Sequence, residues 1–447
     1  MKKIINILLV ACTIGIMVPV AGNVGFEEAI MATALAILFM FLPKPRRRGH
    51  YHYQGVTIAL TNGGLGGTVQ TEDGVVGLVM TGVTESGGYT LGTPILVTGM
   101  TSVTAAGISQ ANNPFAWRHL TEFYNEAGDG AQLYLMLTSN ATTVAMMALN
   151  TNANGVVKML NYAAGAIKVV GLLADDKAIH TAGGTITQTN GLNADCYTAA
   201  SNLQTTINGY VAAEQPLRGI IGCTSYTGVA ANLTNMTTGS NNRVGFFLGD
   251  TQIYDATYTS SAIGLLLGRI ATIPVQRKIS RVLDGPRSNN AAYLGSTPIL
   301  CTTADVATIG GKGFMTFIAY ANRSGFFFSG DPMLTATTDD YQLLCRGRVI
   351  DKAHVIAYQT YLNQVDNDVP VKTDGSGQLD PNYSQWMQNL VLQQLVTTMQ
   401  KAGEITNADC YIDPTQNVVS TNMVIIVLKI RPKAYSSTIV VNLGFEQ

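Results

Sequence analysis

The feature that most constrains this chain is its last stretch. From Ser437 to Phe445 the side chains of Ile439, Val441, Leu443 and Phe445 alternate with polar or smaller residues, the period of a half-buried β-strand. Neither charge nor proline blunts this segment, and as a C-terminal strand it is expected not to turn back on itself. An edge of that kind has to pair, either with its own sheet or with that of a neighbour.

Two helices and one more strand lead up to it. Asp339 and Asp340 are candidate caps for a helix in which Ala353, Ala357 and Tyr361 recur at helical spacing, while Arg348, Lys352 and Gln359 fall on the opposite side of the wheel. Arg346 projects to the apolar side, where a buried, paired role is expected. The second helix has Asp380 as cap, Pro381 at its first position and Gly403 as its stop. Its stripe is Met387, Val391, Leu395 and Met399, flanked by Trp386 and Leu390. The run Met423–Leu428 is apolar throughout, as a strand covered on both faces would be. Met423–Arg431 could form a hairpin with Ser437–Phe445, or the terminal strand could leave its own subunit.

Before this module the chain alternates. Apolar strands at Ile167–Leu173, Arg218–Cys223 and Val244–Leu248 are separated by helical patterns at Ala194–Ala213 and about Ser260–Ile270. Further upstream, Pro114 opens an amphipathic helix through Trp117, Leu120 and Phe123, followed by a strand at Gln132–Leu137. This is α/β layering, with strands covered on both faces. The expected fold class is therefore α/β, with the C-terminal helices and strands forming an α+β inner domain (a mixed sheet and two helices) and the alternating region inserted as an α/β outer domain.

An α/β region invites an enzymatic reading. His119, His180 and His354 are far apart, and no HExxH, GxSxG or paired Cys–His signature occurs. The glycine-rich segments Thr61–Gly67 and Gly310–Phe314 lack the Lys-Ser/Thr that completes a phosphate loop. Asp175 and Asp176 end a strand, where α/β enzymes place catalytic groups, although such a pair is more often a solvated turn. No catalytic residue, cofactor or metal ligand is assigned. Charged residues make up only 12% of the chain and its net charge is −1, which gives no electrostatic footprint for nucleic acid. Cys12, Cys196, Cys223, Cys301, Cys345 and Cys410 form no CxxC pair and read as reduced, mostly buried thiols.

The first fifty residues differ in style. Lys2 and Lys3 precede an apolar run from Ile4 to Ala21, Glu27 and Glu28 interrupt, and a second apolar run ends at Leu42 before "PKPRRR". Three readings stand: an export signal, a membrane hairpin contacting the bilayer through residues 4–42, or a segment outside the mature protein because translation starts later.

The order of the C-terminal elements carries a resemblance. A helix, the acidic turn Asp366–Pro370, a Trp-bearing helix, "KAGEIT" (Lys401–Thr406), a strand and "RPKAYSSTIVVNLGF" (Arg431–Phe445) resemble the C-terminal module of contractile tail sheath proteins. "LLLGRIATIPVQRKISRVLDG" (Leu265–Gly285) and "DDYQLLCRGRVIDKA" (Asp339–Ala353) are similar to a Bacteroidetes-type branch of that family.

The resemblance implies a structural protomer that stacks in homo-oligomeric rings around an inner tube protein, meets baseplate and terminator proteins, and contracts to drive the tube through an envelope. It places the assembly in a virion tail or a cytoplasmic contractile apparatus, and it puts Arg348 and Lys352 toward the tube. It also implies strand exchange through arms at both ends: Val56, Ile58 and Leu60 at one, and Ile439, Val441, Leu443 and Phe445 at the other, with "KAYSS" (Lys433–Ser437) as a flexible joint. The expected layout is a hydrophobic extension (1–50), an arm and strand of the inner domain (51–80), an outer region (81–310) and the inner C-terminal domain (311–447). The alternative is an α/β hydrolase or transferase of a bacterial envelope.

Overall fold

The computed structural model describes residues 72–287 and 289–445, all within one compact unit, Gly66–Gln447. The hydrophobic extension and the arm bearing Val56, Ile58 and Leu60 lie outside the described residues. At the centre is a seven-stranded sheet. Its strands are β1 (Val76–Gly82), β2 (Ile95–Val97), β3 (Leu133–Ser139), β4 (Val169–Leu173), β5 (Arg218–Gly222), β6 (Val244–Phe247) and β7 (Phe314–Met315), in the order β7-β6-β5-β4-β1-β3-β2. All neighbours run parallel except β2, which pairs antiparallel with β3.

Helices cover both faces, and glycines in the strands show which helix lies where. The main helices of this region are α1 (Pro114–Ala127), α2 (Val156–Ala163), α3 (Ala194–Ala212) and α4 (Ile263–Thr272). Gly77, Val170 and Gly219 form one row across β1, β4 and β5. A Cβ at Gly77 would meet Met159 of α2, and one at Gly219 would meet Leu203 of α3. The next row, Leu78, Gly171 and Ile220, faces the other way, and there Gly171 receives Leu267 of α4. Burial on both faces is why β4, β5 and β6 are buried at every residue and read as continuous apolar runs.

On the α4 side, α1 crosses α4 at backbone contact. A Cβ at Gly264 would lie 2.0 Å from the His119 carbonyl oxygen, and one at Gly268 would lie 2.7 Å from that of Phe123. The glycines of the Leu265–Gly285 motif are thus a packing requirement. Its arginines close the loop that follows, with Arg269, Arg277 and Arg281 all converging on Asp284; just beyond the motif, Arg287 pairs with Glu126 of α1.

The C-terminal module consists of α5 (Leu344–Leu362), α6 (Pro381–Leu395) and a two-stranded antiparallel ribbon, β8 (Asn407–Tyr411) with β9 (Val427–Arg431). Asp380 accepts from the amides of Asn382 and Tyr383, as its capping position requires. Met387, Val391, Leu395 and Met399 are all buried, and Gly403 ends the helical stretch at φ 72°. Val349, Ala353, Val391, Leu395, Met399, Ile405 and Ala408 form a small core, separate from that of the large sheet.

Several expectations are corrected. The N-terminus of α5 is not capped by Asp339 or Asp340, since Asp331 accepts from the Cys345 amide instead and Asp339 serves a turn by accepting from Tyr341. Met423–Leu428 is not a strand covered on both faces: β9 begins at Val427, and Met423, Ile425 and Val427 are exposed. The strand β1 runs across the boundary expected at residue 80, and β7 carries the sheet past residue 310.

Candidate functional site

Beyond β9 the chain runs out as an arm. Among the described residues from Arg431 to Phe445 every one is exposed except Tyr435, and 432–445 has no strand partner. Ile439 and Val441 are 77% exposed, Leu443 95% and Phe445 106%. The intramolecular hairpin with Met423–Arg431 is absent: β9 pairs with β8, and 432–445 does not pair along its other edge. The ribbon order is β8-β9, so among the described residues β9 keeps a free edge. Beside Ile430 and Pro432 lies a cleft of about 210 Å³ lined also by Tyr341, Arg346, Val349 and Ile350.

The joint expected to be loose is held. Tyr435 donates to the Gln276 carbonyl at 2.5 Å, and the Lys278 ammonium sits 5.8 Å from its ring centroid. Lys278 also donates to Ser437 at 3.2 Å. Burial raises the phenol's pKa, and neighbouring Cys345 raises it further.

The two residues expected to face outward differ in burial and in what they bind. Arg348 is 4% exposed and donates to the carbonyls of Asp73 and Ile273, and desolvation lowers its pKa to about 10. Lys352 is less enclosed and bridges Asp73 at 2.6 Å and Glu404 at 2.8 Å. Burial disfavours its charge, but Asp73 and Glu404 outweigh that and raise its pKa. Both line a cleft of about 410 Å³ with Glu72, Lys168, Val275 and Asp351. Arg346, expected buried and paired, is only partly buried and its Nε lacks a hydrogen-bond partner. The physical reason is that α5 is enclosed on two sides, by the large sheet's domain and by α6 with the ribbon, so its wheel has two buried faces.

The lock between those two sides was not legible in the sequence. Arg218 of β5, 1% exposed, grips Asp351 of α5 with hydrogen bonds of 2.7 and 3.1 Å. Arg243 adds a third at 3.0 Å. Gly347 makes room, since a Cβ there would lie 2.5 Å from the Arg218 guanidinium carbon. The only sequence signal was an arginine opening an otherwise apolar strand.

At the carboxyl end of β4, a position where α/β enzymes bind ligands, both acidic residues are held in structural hydrogen bonds. Asp175 and Asp176 are both buried rather than in a solvated turn. Asp175 caps the helix Asp176–Thr181 through the Ala178 amide and accepts from Tyr254 at 2.6 Å. Asp176 accepts from Asn193 at 2.9 Å and from Ser225 at 2.6 Å, and burial raises its pKa. Nearby, His119 is fully enclosed, and desolvation with the Arg118 charge lowers its pKa to about 4. Asp250, paired with Arg118 at 3.1 Å, is raised by burial to about 6.

The fold is shared with chains of contractile assemblies. A chain of the anti-feeding prophage (AFP) baseplate superposes with a TM-score of 0.55 at 13% identity, covering 88% of this chain and 99% of that one. The AFP helical sheath in its contracted state gives 0.56 at 12%, covering 88% and 98%. The contracted sheath complex of PVC, an extracellular contractile injection system, gives 0.54 at 11%, covering 88% and 97%. No curated protein matches by sequence. Family profiles do match: the DUF2586 N-terminal domain spans residues 53–331 and the DUF2586 C-terminal domain residues 340–447, and the chain belongs to the DUF2586 family.

Proposed function

We propose that this chain is a non-enzymatic structural protomer of a contractile sheath, polymerising around an inner tube and contracting to drive it through a target envelope. The observation that carries this is the arm. Four large apolar side chains, Ile439, Val441, Leu443 and Phe445, stand exposed on a segment with no strand partner among the described residues of its own subunit. A free edge of β9 lies at its root. Adding the arm to a neighbour's ribbon satisfies its backbone and buries its apolar face. Each side chain contributes about 1.5–3 kcal/mol if fully buried, before the cost of ordering the arm. A link of that strength survives a rigid-body rearrangement between extended and contracted states.

In this reading the C-terminal module forms the inner layer, the sheet-bearing region the outer one, and the N-terminal arm with Val56, Ile58 and Leu60 makes the reciprocal link. Baseplate and terminator proteins would cap the ends. A tube contact through α5 falls to Lys352 rather than Arg348, which is the more buried and donates through Nη2 to two carbonyls of its own subunit. The enzymatic alternative finds less support, because Asp175 and Asp176 are committed to a cap and to buried hydrogen bonds. Electron microscopy of the purified chain, alone and with a tube protein, tests the proposal. Tubular polymers are expected; persistent monomers at high concentration that turn over a small substrate would favour the enzyme.

A further inference from the structure

The arm's root is more elaborate than a linker requires. Tyr435 is the one residue between Arg431 and Phe445 that is not exposed. Its hydroxyl donates to Gln276, and its ring takes the Lys278 ammonium. Lys278 lies 3.5 Å from Asp331, a carboxylate that is 1% exposed, and donates to Ser437 at the far end of the joint. Asp331 in turn accepts from the Cys345 amide, and its carbonyl accepts from Leu344, so the same residue fixes the start of α5. Three separate parts of the chain therefore converge on the joint: the loop after α4, the approach to α5, and the arm.

We propose that Tyr435 is a latch that fixes the root of the arm, so that 433–437 stays with its own subunit and only the residues from Thr438 onward are free to move. A cation held over an aromatic ring and a buried counter-ion for that cation restrain both position and direction. The latch thus sets the place and angle at which the arm leaves, which reduces the ordering cost of capturing it on a neighbour. Its part in assembly rests on the strand-exchange reading; its existence in the single subunit does not.

Trypsin separates the two. Arg431 precedes Pro432 and resists cleavage, whereas Lys433 is exposed and precedes Ala434, so cutting there reports release of the root. Below the assembly concentration, the full chain with Tyr435→Ala should be cut at Lys433 about tenfold faster than the unsubstituted chain, because cleavage follows the population of the open form. Tyr435→Phe and Lys278→Met should fall between, with melting temperatures close to that of the parent, and they decide the question if Tyr435→Ala fails to fold. In a pelleting assay the released variants should need several-fold more protein to polymerise. Equal cleavage rates in all variants would overturn the latch, and faster cleavage with an unchanged polymerisation threshold would overturn its role in assembly. A 438–447 deletion run alongside tests the exchange reading by itself: if it polymerises like the intact chain, exchange fails while the cleavage comparison still decides the latch.

Discussion

The guanidinium of Arg218 closes on the carboxylate of Asp351 with two hydrogen bonds, 133 residues apart in sequence, and joins the central sheet to the first helix of the C-terminal module. Arg218 also donates to the carbonyls of Asn242 and Gly347, so its burial leaves little of its hydrogen-bonding capacity idle. Removing one partner strands the other's charge in the interior. Asp351→Ala should cost about 3–5 kcal/mol by denaturant unfolding. A loss below about 1 kcal/mol would mean that the pair is solvated in solution.

Gly264 tests the crossing of α1 and α4. Because a Cβ there would meet the His119 carbonyl at 2.0 Å, Gly264→Ala must push two helices apart, and overpacking of this kind costs about 1–3 kcal/mol or more. The control is Gly209 in α3, where a Cβ would meet nothing within 4 Å. Gly209→Ala should be neutral or stabilise by up to about 1 kcal/mol. Thermal melting of the two variants side by side measures the difference.

The elements that were legible in the sequence are those whose signals are local. Asp380, Pro381 and Gly403 mark the ends of a helical stretch by capping chemistry that does not depend on the rest of the fold, and the stripe from Met387 to Met399 is buried as its spacing demands. The parallel strands were readable because burial on both faces leaves no polar alternation. What was not legible depends on distant partners. Arg348 looks like a surface charge on a helical wheel, yet it lies against the Asp73 and Ile273 carbonyls, which come from two remote segments. The looseness expected of "KAYSS" followed from small polar residues, and Tyr435 overrides it by reaching Gln276, 159 positions away. The arm's alternation was visible; that the ribbon partner of β9 is β8 rather than the arm is a choice that composition does not reveal.

Arg348 can be tested as an interior residue. Arg348→Glu should destabilise the subunit by about 3 kcal/mol or more, since it replaces a buried donor with an acid facing two carbonyl oxygens. Lys352→Gln should cost less, because Lys352 is the more exposed of the two. Chemical denaturation of both variants gives the ranking, and an Arg348→Glu protein as stable as its parent would return Arg348 to the surface.

Two groups near α1 give opposing pH dependences. His119, with a folded pKa of about 4 below the usual 6.5, takes up protons more readily when unfolded, so its contribution is present above pH 6.5 and is lost as pH falls toward 4. Asp250, raised from 3.8 to about 6, contributes fully below pH 3.8 and loses that contribution as pH rises through 6. Between pH 4 and 6 the two offset each other. In His119→Gln the His119 part is gone, so across that interval the variant should lose stability, relative to the parent, as pH rises. Denaturant unfolding at several pH values checks the sign.

Thiol chemistry reports the packing directly. Cys301 is the exposed thiol among the described residues, while Cys196, Cys223 and Cys345 are buried, the last two with pKa values pushed well up by desolvation. A maleimide should label Cys301 first, and the buried three should react only on unfolding. Rapid labelling of Cys223 in the native protein would contradict the sheet packing described here.

The central claim is that the exposed C-terminal arm is an intersubunit connector, and sedimentation of the chain lacking residues 438–447 beside the intact chain tests it most directly. The shortened chain should keep the melting temperature of the intact subunit and remain monomeric under conditions where the intact chain forms tubular polymers. A shortened chain that polymerises as the intact one does, or that loses its folded core, would contradict it.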